Sequence, residues 1–151
     1  MLLPELPKEL LHGSSRKLTT LKSKQPTASP HFHRLEKYLF SNPYMCLTPY
    51  PEVAMFFAAK RSGAASMMGF QKGIAYLGKP ELFDPDRDVY IYVVDSSAIP
   101  IEKCEWHSVF ELRVRMPEIK FARMEVHKAG EIFGHFEVFG SQEEFFIRKS
   151  S

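Results

Sequence analysis

The chain has 151 residues, 44% of them hydrophobic and 25% charged, and its formal net charge is +2 at pH 7. These values exclude a disordered chain and predict a single domain, residues 1–151, that buries roughly two-thirds of its unfolded surface on folding. No run approaches the ~18 apolar residues of a transmembrane helix, and the net charge is too small to indicate nucleic-acid binding by itself, so we expect a cytoplasmic protein without a membrane partner.

The N-terminal part of the chain predicts one short strand followed by loops. The strand's apolar segment closes at Gly13, and residues 14–22 favour a turn or a short helix. Residues 23–31 contain prolines among small polar residues, which suits a flap over a cleft as well as a plain connector. Basic residues outnumber acidic ones from Lys8 to Lys37, a pattern typical of a solvated surface or of a site that meets phosphate.

A second strand and the strongest helix signal follow. The strand places alternate residues on opposite faces, with Tyr44, Cys46 and Thr48 on one face and Met45 and Leu47 on the other. Thr48 is the expected helix cap, Pro49 and Pro51 restrict φ as a first turn requires, and Glu52 suits the positive helix end. Apolar positions at helical spacing then run to cations at residues 60–61, which predicts a helix packed on a sheet.

The second half of the chain is dominated by strand patterns. Residues 88–95 are apolar on both faces, so we expect this strand in the middle of a sheet. A short strand is expected within residues 72–80, and three further strands are expected within residues 108–116, 118–128 and 132–140. The tail is expected to add an edge strand or to fray. Segregated helix and meandering strands indicate an α+β fold.

Several of these blocks together resemble the ADP-ribosyltransferase superfamily. The resemblance spans roughly residues 8–140 and rests on LLHGSSRKLTTL, on YMCLTPYPEVAMFFAAK, and on VYIYVVD ahead of late strands that contain glutamates. It implies two small, mostly antiparallel sheets that form a central cleft, with one main helix after the second strand. It also implies that NAD is the substrate and that ADP-ribose is transferred to a macromolecule, protein or nucleic acid.

The resemblance implies which residues meet NAD. His12 would hold a ribose hydroxyl, while Gly13 and Ser14 would meet the nicotinamide amide. The family often has a tyrosine, which stacks on the nicotinamide, where this chain has Cys46; Tyr44 on the same strand face, or Tyr50, could offer the ring instead. An imidazole offers both a donor and an acceptor, and a glycine lets a planar carboxamide approach the backbone. The full set of expected NAD-binding residues is His12, Gly13, Ser14, Ser15, Arg16, Tyr44, Cys46 and Thr48.

The resemblance also implies a glutamate at the start of a late strand. Glu118 is favoured and Glu105 is the second choice, with Glu111 and Glu125 as further candidates, and His12 is grouped with them as catalytic. Breaking the bond between nicotinamide and ribose builds positive charge on the sugar, and a carboxylate that bonds the ribose hydroxyl stabilises this charge.

Two alternatives remain open at this stage. One is an RNA 2′-phosphotransferase, for which Arg16, His31, His33 and Arg34 are available but not at the expected spacing. The other is a catalytically inactive member of the fold, or an unrelated α+β interaction module. No metal is expected, because His107, His127 and His135 are scattered and the two cysteines, Cys46 and Cys104, form no CxxC pair.

Overall fold

The computed structural model describes residues 6–23, 44–61 and 65–151. The sequence also predicts a break at Asn42-Pro43, ahead of the second strand. This break, the predicted loop of residues 23–31 beyond Ser23, and His31, His33 and Arg34 lie outside these ranges. The strands are β1 Glu9–Ser14, β2 Leu21–Lys22, β3 Met45–Leu47, β4 Met67–Gly69, β5 Ile74–Tyr76, β6 Asp88–Asp95, β7 Cys104–Trp106, β8 Leu112–Val114, β9 Glu118–Ile119, β10 Arg123–Lys128 and β11 Glu137–Phe139. The α-helices are α1 Pro51–Ala59 and α2 Gln142–Ser150.

The central sheet has the order β1-β6-β10, and both pairings are antiparallel. The predicted central position of residues 88–95 is therefore confirmed. Val89 and Ile91 belong to one core, which includes α1, whereas Tyr92 and Val94 belong to a second core on the opposite face. Burial on both faces is what the apolar residues of this strand require.

Helix α1 packs on the first of these faces, as predicted. Pro51 occupies its first turn, where a missing N–H costs no helical hydrogen bond. Ala54 and Ala58, both fully buried, bring the helix close to β1. The predicted cap was wrong: Tyr50 is the N-cap residue, and the Thr48 hydroxyl instead accepts a hydrogen bond from the Tyr50 N–H at 3.2 Å. The last turn of α1 contains no basic residue, because the helix ends at Ala59.

A second antiparallel sheet, with the order β3-β8-β7, covers the other face. Met45 and Leu47 are buried in the second core, as the predicted alternation required, and Leu112 and Val114 of β8 pack beside them. Among the residues that the structure describes, one antiparallel bridge, between Leu11 and Thr48, joins this sheet to β1. In that part of the chain, this bridge is the backbone connection between β1 and β3.

The remaining elements are small. β2 pairs with β9, and β11-β5-β4 form a three-stranded sheet in which β11 runs parallel to β5. Of the turn or short helix predicted after Gly13, the helix does not form, and the chain bends at residues 15–16 and 19–20. The 3-10 helix Ala129–Gly134 replaces the first part of the strand predicted for residues 132–140, of which only Glu137–Phe139 is a strand. The tail forms α2 rather than an edge strand, because Ser141 caps it and Phe145 anchors it in the interior. The fold is thus α+β with several small, mostly antiparallel sheets. No helix among the described residues has the length and apolar character needed to cross a bilayer.

Candidate functional site

The candidate site lies where β1 and β3 separate. Leu11 donates its N–H to the Thr48 carbonyl at 2.7 Å and accepts the Thr48 N–H at 2.8 Å. Within the described ranges this is the one bridge between β1 and β3. Beyond it, β1 continues to Ser14 alongside β6, whereas β3 continues toward Tyr44 alongside β8. We call the space between the end of β1 and the start of β3, beyond this bridge, the gap.

His12 is the side chain that spans the start of this gap. Its Nδ1 lies 2.9 Å from the Cys46 carbonyl oxygen, and its ring centre lies 6.4 Å from that of Tyr92. A carbonyl can only accept, so Nδ1 carries the hydrogen, and Nε2 of the neutral ring is then an acceptor. Two hydrogen bonds fix the Tyr92 hydroxyl: it donates to the Arg16 carbonyl at 2.9 Å and accepts a hydrogen bond from the Leu18 N–H. The imidazole thus has a defined tautomer and a packed neighbour.

Gly13 serves the fold through its missing side chain. A Cβ at this position would lie 1.8 Å from the Ala54 carbonyl oxygen and 2.9 Å from the Ala58 nitrogen, both backbone atoms of α1. The expectation that this glycine lacks a side chain so that a ligand can approach therefore needs correction: the absent Cβ faces the helix. The glycine is required for the close approach of β1 to α1.

The backbone of Gly13 nevertheless faces the gap. Successive residues of a strand direct their N–H and C=O groups to opposite edges, and residues two apart share an edge. Since the backbone of Leu11 bonds β3, the N–H and C=O of Gly13 point to that same edge, beyond the single bridge. The end of β1 therefore presents one N–H donor and one C=O acceptor, both of Gly13, arranged as they are in a strand that pairs with a neighbouring strand.

The outer face of the β3-β8-β7 sheet carries a polar cluster. Cys46, Arg113 and Glu105 form one cross-strand row, because Cys46 pairs with Arg113 and Arg113 pairs with Glu105. Tyr44 precedes β3 and Glu111 precedes β8 on the same face. We call Tyr44, Cys46, Glu111 and Arg113 the polar cluster.

Arg113 is the centre of the polar cluster. Its Nε lies 3.0 Å from Glu111 Oε2, and its guanidinium carbon lies 4.4 Å from the centre of the Tyr44 ring. The Arg113 and Glu111 side chains are only 13% and 15% exposed, so water screens this ion pair weakly. Burial raises the pKa of the Cys46 thiol to about 12, and the Glu111 carboxylate beside it adds to the shift. Cys46 is therefore a protonated thiol at neutral pH.

The four candidate acids occupy different environments. Glu118 is exposed on β9, opposite Lys22, and Glu105 is exposed on the edge strand β7. Glu125 on β10 lies 3.0 Å from His127 Nε2. Glu111 alone of the four interacts with Cys46, whose carbonyl is bonded to His12. The structure thus brings Glu111, rather than the favoured Glu118, to the same residue as the imidazole.

The other predicted NAD-binding residues flank the gap. Ser14 closes β1, and its hydroxyl accepts the Arg16 N–H at 3.1 Å; Ser15 lies in the bend between them. Arg16 has an exposed side chain, while Thr48 is buried and holds the bridge to β1.

Sequence reasoning missed Arg113 altogether. The sequence did contain a signal for it: Arg113 stands between Leu112 and Val114. When two such apolar residues face the core of a strand, the residue between them lies on the opposite face of the sheet. What could not be derived was its pairing with Cys46, which depends on long-range strand register.

No group of His, Cys, Asp and Glu side chains among the described residues is arranged to hold a metal ion. No protein-family model, curated protein or solved structure matches the chain.

Proposed function

We propose that this chain is an ADP-ribosyltransferase-like domain that binds NAD in the gap between β1 and β3 and transfers ADP-ribose to a macromolecular acceptor. The observation that carries the proposal is that, beyond the Leu11–Thr48 bridge, His12 of β1 bonds the carbonyl of Cys46, whose side chain belongs to the polar cluster. The α+β arrangement of small antiparallel sheets around this gap supports it.

Nicotinamide would bind the free strand edge of β1. A primary carboxamide offers one acceptor and two donors in a plane, which complements the N–H and C=O that Gly13 directs to the gap. Such pairing resembles the addition of a further strand, and it would fix the ring next to the start of β3. His12 would then accept a ribose hydroxyl at Nε2, because its Nδ1–H is committed to the Cys46 carbonyl.

Tyr44 is the aromatic ring at this end of β3. The guanidinium carbons of Arg113 and Arg115 lie 4.4 Å and 5.8 Å from the centre of this ring. Cations beside the ring hold it in place, and we propose that the nicotinamide packs against it. Cys46, at the position that the family often fills with tyrosine, is small and protonated, so we assign it no chemical step.

Glu111 is the acid we assign to the reaction. Cleavage of the nicotinamide–ribose bond develops positive charge on the anomeric carbon and the ring oxygen. A carboxylate that is partly sheltered from water stabilises this charge without reorganisation, and Arg113 holds it in one orientation. Removing one such interaction typically reduces kcat by about 10²–10³-fold.

The test compares Glu111→Gln, Glu118→Gln and Glu105→Gln in an assay of nicotinamide released from NAD, with and without protein or oligonucleotide acceptors. We expect Glu111→Gln to reduce release by about 10²-fold or more while the two exposed-acid variants stay near wild type. Because Glu118 and Glu105 are exposed strand residues on the same half of the chain, they are matched controls for folding.

Binding is measured separately by thermal unfolding with millimolar NAD. Selective binding to the native state raises the melting temperature, and ligand at 100 times its Kd adds about 2.7 kcal/mol. Binding without nicotinamide release would indicate an inactive binding module. The absence of any NAD-dependent shift would refute the proposed site, and removal of an RNA 2′-phosphate without acceptor labelling would reassign the reaction.

A further inference from the structure

An open cavity lies beside the turn that leads into Glu111. It has a volume of about 310 Å³ and is lined by the segment from Met68 to Lys72, the turn at Val109 and Phe110, and Lys149 of α2. This volume is at the lower end of the range for small-ligand sites, so it has room for one base and its sugar. None of the side chains that line it is acidic among the residues described.

The cavity wall is aromatic. Phe70 and Phe110 are half-buried, and their ring centres are 5.4 Å apart. Phe70 also packs on Tyr50, the N-cap residue of α1, with 4.8 Å between ring centres. These contacts fix the orientation of the Phe70 ring, so its position in the wall is set before any ligand binds.

The cations at the cavity are placed by the C-terminal helix. Lys72 Nζ donates to the carbonyl of Arg148 at 3.3 Å and also to those of Lys149 and Ser151. This side chain therefore caps the end of α2 and brings Lys149 to the cavity rim. A cation at this helix end is also favoured by the helix dipole.

The cavity is linked to Glu111 through the turn between β7 and β8. The Ser108 hydroxyl accepts the backbone N–H of Phe110 at 3.3 Å and that of Glu111 at 3.1 Å. The His107 N–H donates to the Glu111 carbonyl at 2.9 Å, which closes the turn. Phe110 and Glu111 are consecutive residues, so the same turn carries one wall of the cavity and the acid of the polar cluster.

We infer that this cavity binds one nucleotide of a single-stranded nucleic acid. The base packs against the aromatic wall, the phosphate lies toward Lys149, and the exposed Gln71 amide at the rim can meet polar groups of the base. Aromatic rings beside cations, with no carboxylate in the lining, complement a polyanion that carries flat bases better than an acidic peptide. Resting on the proposed function, this assigns nucleic acid as the class of acceptor.

The test is fluorescence anisotropy with a labelled 12-nucleotide oligothymidine in the absence of NAD, so its outcome does not depend on transfer. We expect Phe110→Ala and Lys149→Glu each to weaken binding about fivefold or more, as the loss of one stacked base or one phosphate contact requires. Lys103→Glu, at the far end of β7, is the matched charge control and should weaken binding less than Lys149→Glu.

Gln71→Glu keeps the test independent of folding, because Gln71 is exposed and the change only adds an acid at the rim. It should also weaken binding. Equal affinity for wild type, Lys149→Glu and Gln71→Glu would overturn the inference, as would binding of a fluorescent poly-glutamate peptide in preference to the oligonucleotide. Either result would leave the NAD assay untouched, so the two proposals fail separately.

Discussion

Replacing Gly13 with alanine tests how closely β1 and α1 are packed. The new Cβ would lie 1.8 Å from the Ala54 carbonyl oxygen, whereas real Cβ atoms do not approach other atoms within 3.0 Å. The strand and the helix must therefore separate by about 1.2 Å. The atoms in the way belong to the backbone, so no side-chain rotation relieves the clash.

The magnitude follows from the packing that the shift disrupts. Ala54 and Ala58 are fully buried against β1, and a gap of 0.5–1 Å forfeits about a quarter to a half of each van der Waals contact. Overpacking typically costs about 1–3 kcal/mol, and alanine recovers only about 0.4–1 kcal/mol by restricting the unfolded chain. Because the overlap is with rigid backbone atoms, the net loss lies in the upper part of the range that these two values leave, and we expect Gly13→Ala to lower the free energy of unfolding by about 2 kcal/mol. This is a large part of the ~5–15 kcal/mol of an ordinary domain.

The assay is urea unfolding followed by far-UV circular dichroism and by the fluorescence of Trp106, which packs against the second core. Gly140→Ala is the matched control, because a Cβ there meets nothing within 4 Å. Its free energy of unfolding should stay within about 1 kcal/mol of wild type. A loss below about 1 kcal/mol for Gly13→Ala, or one equal to the control, would refute the packing argument.

Three further outcomes are expected. Tyr92→Phe should lower the free energy of unfolding by about 1–3 kcal/mol in the same urea assay, because it leaves the Leu18 N–H without its acceptor; an unchanged midpoint would contradict this. Burial lowers the pKa of His127, but its two carboxylate neighbours outweigh burial and hold that pKa above its usual value. Protonated His127 therefore stabilises the folded state fully below about pH 6.5, and this contribution is lost as the pH rises through the raised pKa. We expect His127→Gln to lower the free energy of unfolding by about 0.5–1 kcal/mol at pH 6 and by less at pH 9. With a thiol pKa of about 12, Cys46 in a Cys104→Ser background should react with iodoacetamide at pH 8 on the order of a thousandfold more slowly in native protein than in urea, and equal rates would show that the thiol is not buried.

Strand β6 was predictable because its signal is local. A run of eight residues, apolar on both faces, has few stable environments other than the middle of a sheet, and the structure places it there. Helix α1 was predictable for a similar reason, since proline at the first turn and apolar helical spacing agree.

The prediction of a strand for the segment after β10 was wrong because the spacing of its apolar residues fits both the period of a strand and that of a helix. Ile132 and Phe136 are both buried, and a spacing of four satisfies alternation in a strand as well as one face of a helix. The backbone takes the 3-10 form up to Gly134, and only Glu137–Phe139 is a strand. For α2, the capping residue Ser141 and the acidic residues of the first turn indicate a helix, and the prediction of an edge strand did not take them into account.

The acid could not be chosen from the sequence for a different reason. Glu118 begins β9 and Glu111 directly precedes β8, so the local sequence pattern does not distinguish the two acids. The two acids differ in how the adjoining strands pair: β8, which follows Glu111, pairs with β3, whereas β9, which contains Glu118, pairs with β2. Such long-range pairing depends on the whole fold, and a strand of two or three residues carries too little pattern to specify its partner.

The single bridge between Leu11 and Thr48 has a consequence for how the site can vary. Both of its hydrogen bonds join main-chain atoms, so neither bond requires a particular side chain at position 11 or 48. Proline at position 11 or 48 is the exception, because it removes the N–H donor of one of the two hydrogen bonds. We expect the two strands to separate at this point in such a variant.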